Sequence, residues 1–147
     1  MIDDTTKPAL AILQPDWKEI CPTNGAALMT LRSGGVSSGP FGDKDGIGGF
    51  NVGLYTGDVG FCIKMNRTLA AQLGPSDPKW LKQVHGVKVV EAETAAPEEE
   101  ADASTAITPN TVCVVQVADC LPVLITEKNG KAVAAVLCGW RSLAGGI

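Results

Sequence analysis

The chain has 147 residues, 45% hydrophobic and 19% charged, with a net charge of −4; these values suit one globular domain spanning residues 1–147 with a real core. The acidic balance gives no basic surface for nucleic acid or anionic lipid, and no run nears the ~20 apolar residues of a membrane span. A single histidine cannot build the several imidazole-rich copper sites that oxygen reduction requires.

The N-terminus, MIDDTTKPALAILQPDW, is acidic from its third residue and lacks the apolar core of a signal peptide. Five cysteines without small-scaffold spacing fit a reducing compartment, so a cytoplasmic protein is expected. The first twenty-five residues, with Pro8, Pro15 and Pro22, read as a loose lead-in. Ala26–Arg32 (AALMTLR) is a short apolar run that predicts a strand. SGGVSSGPFGDKDGIGG follows, with seven glycines in seventeen residues, and predicts a long flexible loop. Phe50–Leu54 predicts a second strand. Asp58 has the character of a helix N-cap, with Cys62, Met65, Leu69 and Leu73 at helical spacing and Gly74 as the stop.

Trp80–Val90 (WLKQVHGVKVV) reads as a strand pair or a strand broken at Gly86. Residues 91–101, EAETAAPEEEA, read as an acidic loop. The last third predicts β-structure at Thr111–Val117, Pro122–Thr126 and Ala132–Cys138, with Asn129-Gly130 as a hairpin signal. Leu143 onward would start a helix, and the apolar strand before it has no cover. A fragment of a longer fold is therefore expected.

The hairpin bears on chemistry. A three-residue loop at Lys128-Asn129-Gly130 pairs Glu127 with Lys131 and sets Cys120 opposite Cys138 on one face. A two-residue loop would turn the two thiols to opposite faces, and Pro122 disturbs the ladder beside Cys120. Two adjacent thiols could be plain core residues, a disulfide or metal ligands with a third partner. His85, beside Gly86, is structural or catalytic, and Asp119 is a turn residue or an orienting one. Arg32, where an apolar run meets the glycine-rich segment, is either a solvated arginine or part of an anion pocket. GIGG and GGVSSG lack the spacing, helix and downstream acid of a dinucleotide fingerprint.

Six blocks in series, TLRSGGVSSGPF, FNVGLYTGD, MNRTLAAQLG, WLKQVHGVKVV, VADCLPVLI and AAVLCGWRSLAGGI, resemble the YfiH-type family, also called laccase-domain or polyphenol oxidase proteins. The resemblance covers about Ala26 to Ile147. It implies a layered, mixed α/β sandwich and a zinc site (copper possible) held by a His, a Cys and a second His. Matched by motif, QVHG supplies His85 and ADCLPV supplies Cys120. The third ligand belongs to an HAGWRG-like block that reads CGWRS here, giving Cys138 as third ligand and Ser142 in place of glycine. Tyr55 stands where the family often has histidine. A His/Cys/Cys set is chemically acceptable for tetrahedral zinc with one open position.

The resemblance further implies purine nucleoside phosphorylase and adenosine deaminase activities, with a purine nucleoside and phosphate as substrates. Arg32 matches the arginine of the family's TTRxGGVS block and would hold phosphate. A metal-free cysteine hydrolase with Cys120 as nucleophile and His85 as base and a non-catalytic binding paralogue are the alternatives. Family chains continue past the GWRG block, so the C-terminal part of the fold is expected to lie outside this sequence.

Overall fold

The computed structural model describes residues 10–17, 19 and 21–147, so the expectations for residues 1–9 lie outside the described residues. The fold is mixed α/β, with several small sheets and, among the described residues, two α-helices. Contacts divide it into two compact units, one of residues up to Pro15 with Ala27–Ala70, the other of Asp16–Ala26 with Ala71–Ile147. No helix among the described residues is long and apolar enough to cross a membrane.

In the first unit, β1 (Ile12–Leu13) pairs antiparallel with β2 (Met29–Thr30), so only two residues of the expected Ala26–Arg32 strand are in a ladder. Ser33–Ser37, expected to be flexible loop, instead form β3, followed by a 3-10 turn at Gly39–Phe41. The glycines are the cause. A Cβ on Gly35 would collide with the Gly49 carbonyl and Asn66 Oδ1, and one on Gly49 with the Phe41 carbonyl. Bare backbones can therefore approach where side chains could not. Phe50–Leu54 is irregular rather than strand, and its Asn51 and Val52 carbonyls accept from the helix side chains Asn66 and Arg67 instead of from a neighbouring strand.

That helix, α1 (Gly60–Ala71), starts two residues after Asp58. It buries Ile63 and Asn66, while Met65 of the expected stripe is exposed. Asn66 is a fully buried hub: its amide donates to Ser37 Oγ (2.9 Å), Asn51 O (2.8 Å) and Gly49 O (3.3 Å), and its Oδ1 accepts from Val36 N (2.9 Å). A polar side chain here replaces ladder bonds that the irregular 49–53 segment lacks.

In the second unit, β4 (Leu81–Lys82) pairs parallel with β6 (Glu99–Glu100). The acidic run thus contains a strand, and Lys82–Glu100 (2.7 Å) and Lys88–Glu99 (2.8 Å) ion pairs relieve its charge. A four-stranded sheet orders β5 (Val89–Glu91), β7 (Ala103–Ala106), β9 (Val133–Cys138) and β8 (Leu121–Thr126). The 111–117 run makes only a bridge, Lys79 to Cys113. Its backbone is tied by a side chain instead: Gln83 donates to Gln116 O and accepts from Gln116 N, both at 2.7 Å. Partial burial pushes the half-buried Cys113 thiol up from its usual value. α2 (Trp140–Gly145) follows β9, three residues before the expected start.

The hairpin register corrects the preferred reading. Leu121, not Cys120, lies opposite Cys138, and Thr126 lies opposite Val133. The αL glycine, Gly130 (φ 66), is present, but Glu127 N bonds Ala132 O (2.9 Å). That bond closes the hairpin one residue later than the three-residue loop would. The alternative register, with the thiols on opposite faces, is the one observed.

Two predictions concern the first unit. Asn66→Ala, which strands buried donors and acceptors, should cost about 3 kcal/mol in urea unfolding. Burial would raise the Asp58 carboxyl, but hydrogen bonds from Ser37, Asn51 and Val59 N–H outweigh it and hold the group below its usual value. Its stabilising share is thus present above the ordinary aspartate range and lost as pH falls through the lowered value. The destabilisation caused by Asp58→Asn should accordingly be full at neutral pH and vanish in acid titrations of unfolding.

Candidate active site

The site grows from β7 and β9. Along β9 burial alternates: Ala135, Leu137 and Gly139 are buried, while Ala134, Val136 and Cys138 are half-buried. Gly139 continues the strand in extended conformation (φ −62, ψ 156), so positions 135, 137 and 139 share one face and Cys138 points to the other. Continuing the β8–β9 register sets Cys120 across from Gly139.

On the same side, Asp102 precedes β7 and is completely buried. Its carbonyl accepts Leu137 N–H (2.8 Å). Its carboxylate accepts three successive backbone N–H groups: Val84 (3.1 Å), His85 (2.7 Å) and Gly86 (2.8 Å). This clamp holds His85 in the left-handed region at φ 57, a conformation that costs a non-glycine residue roughly 1 kcal/mol. Gly86 lies directly against the carboxylate: a Cβ there would stand in ordinary van der Waals contact with Asp102 Oδ2, at 3.4 Å.

His85 and Cys120 come together. A Cβ built on Gly139 would stand 3.0 Å from Cys120 Sγ and 3.5 Å from His85 Cδ2. Both side chains therefore converge over the bare backbone of Gly139, with His85 exposed and Cys120 half-buried. Cys138 does not join them. Asp119 is exposed on the bend before Cys120, and Ser142 is buried within α2.

Three donors are needed for a catalytic zinc and four for a structural one. Among the described residues no three His, Cys, Asp or Glu side chains gather as a metal site. The expected His85/Cys120/Cys138 set is therefore corrected to a His85–Cys120 pair. Sequence matching carries the same correction: setting Gly139-Trp140-Arg141 on the GWR of HAGWRG puts Leu137 at the histidine and Cys138 at the alanine. The residues present do not fit a three-ligand zinc or copper centre.

Arg32 belongs to the other unit. Its guanidinium donates through Nε to Gly42 O (2.7 Å) and through Nη2 to Pro40 O (2.8 Å), which fastens the glycine-rich turn with two of its five donors. The residue that sequence reasoning missed is Asp102. Its signal was available, a lone carboxylate between alanines in ADASTA, but it was hidden at the end of an acidic run.

A mixed α/β fold that presents a histidine and a cysteine over a strand-end glycine defines a site class, and comparisons with known proteins give the family. The chain belongs to the multi-copper polyphenol oxidoreductase laccase family, whose profile matches residues 26–147. It is 40% identical over 137 residues to a purine nucleoside phosphorylase of Pseudomonas aeruginosa, covering 93% of this chain and 53% of that protein. It is also 40% identical over 140 residues to the purine nucleoside phosphorylase YfiH of Escherichia coli, covering 92% and 54%. The crystal structure of a Neisseria meningitidis protein superposes with a TM-score of 0.82 at 39% identity, covering 92% of this chain and 53% of that one. The chain spans about half the length of the curated relatives it matches. The "multi-copper" of the family description sits poorly with a chain holding one histidine.

The clamp can be tested. Asp102→Ala should cost about 3–5 kcal/mol in denaturant unfolding, because three N–H groups lose a buried charged acceptor. His85→Gly should instead raise stability by up to ~1 kcal/mol, since glycine accepts the left-handed backbone freely.

Proposed function

We propose that the chain carries the nucleoside site of a purine nucleoside phosphorylase centred on His85 and Cys120, with a purine nucleoside and inorganic phosphate as substrates. The observation that carries this reading is the convergence of those two side chains over Gly139. The names of relatives at 40% identity support it. Phosphorolysis forms a bond from phosphate oxygen to the ribose C1′ as the C1′–N bond to the base breaks, and the departing base takes a proton. An imidazole at a solvent-facing site can deliver that proton, and the Asp102 clamp fixes the backbone that carries it. Arg32 is proposed as a phosphate-binding residue of its own unit, supported by its exposure and its fork of donors. A reducing, cytoplasmic setting is part of the proposal, supported by five cysteines free of disulfides.

Leu137 favours a second reading, a paralogue that binds nucleoside without turning it over. The pairing of Cys120 with His85 also matches a cysteine nucleophile and its base, though analogy of fold is weak support.

One assay separates these. Adenosine or inosine with phosphate should release free base and ribose 1-phosphate, and His85→Ala should lower kcat at least ~100-fold. Inosine formed from adenosine would mean deamination instead. Bound nucleoside with no product of any kind selects the paralogue, and hydrolysis abolished by alkylating Cys120 selects the nucleophile. Arg32→Ala should weaken phosphate dependence about tenfold or more, and unchanged phosphate kinetics would remove Arg32 from this role.

A further inference from the structure

We propose that this chain is a natural loss-of-metal form of its family's site, in which Leu137 stands at the third-donor position and leaves His85 and Cys120 as a two-donor pair that does not retain zinc. Three observations converge. Gly139 shows which face of β9 looks towards the pair, because a Cβ placed on it would meet both Cys120 Sγ and His85 Cδ2. Residue 137 lies two positions earlier on that face, about 7 Å along the strand. It is a leucine only 2% exposed, with its N–H fixed to the Asp102 carbonyl. The neighbouring thiol that might substitute, Cys138, faces the other side of the sheet, where the register pairs it with Leu121.

A leucine has no electron pair to give, and a thiol on the far face cannot reach round the strand. Two protein donors are one short of the catalytic zinc set. A histidine at 137 would complete it, because side chains in strands stand on their face and lean along the chain. The deficit is therefore one residue, and it is not where the cysteine next to GWR suggests.

The inference concerns metal affinity alone and is measured without nucleoside, so it and the phosphorolysis reading fail separately. The reduced full chain is titrated with zinc against a chromophoric chelator, and with cobalt to read thiolate-to-metal absorption. The native protein should bind zinc no tighter than about micromolar, and Cys138→Ala should change nothing. Leu137→His should tighten zinc at least ~100-fold and produce a cobalt–thiolate band. That band should vanish on adding Cys120→Ala and survive Cys138→Ala. Native protein that keeps one zinc through dialysis against chelator would overturn the proposal, as would zinc binding lost on Cys138→Ala. Both of those arms stand even where Leu137→His does not fold. A folded Leu137→His protein with unchanged zinc affinity would overturn it too.

Discussion

The carboxylate of Asp102 joins the two parts of the site that chain connectivity leaves apart. It lies at the head of β7, beside the strand that carries Leu137 and Gly139, and receives three consecutive N–H groups of the loop bearing His85. A buried carboxylate needs such donors, because it has left water behind. Three backbone N–H groups pointing the same way need an acceptor equally. Each half of the arrangement satisfies the other, and the backbone conformation at His85 follows from both. Without this contact the QVHG loop would have no reason to hold a histidine in a left-handed conformation.

The two units solve the same accounting problem with different chemistry. In the first, glycines remove side chains so that backbones can touch, and the amide of Asn66 makes four hydrogen bonds among them. In the second, a carboxylate and a pair of glutamine bonds, Gln83 with Gln116, stand in for missing ladder bonds. Short strands are tolerable under these conditions because side chains complete what the sheets leave open.

Much of the fold was legible in the sequence where pattern and local chemistry agree. The β8–β9 hairpin shows in its apolar runs and Asn129-Gly130, and α1 shows in its spacing, although its buried face turns on Ile63 and Asn66. Legibility failed where a residue acts across distance. Ser33–Ser37 looks like loop because glycine usually means one, yet here it permits close packing. ASTA at β7 has no strand character of its own and pairs because β5 and β9 flank it. His85 and Cys120 were readable from their motifs. Cys138 could not be placed from the motif alone, because alternation along a strand and the register of its hairpin decide which neighbour faces the site.

The connection from Glu127 to Ala132 consequently sets more than the end of a hairpin. β9 is held on its other edge by β7 and by the bond from Leu137 to Asp102, so a change in loop length must be absorbed by β8. One residue gained or lost there would slide β8 by a single position and rotate Cys120 away from His85, leaving both strands intact. Hairpin tips usually accept such length changes. The tip should resist insertion and deletion along its whole length, and substitution at Gly130, whose backbone is left-handed and whose added Cβ would collide with the Asn24 side chain, a pattern of variation more typical of a spacer than of a surface loop.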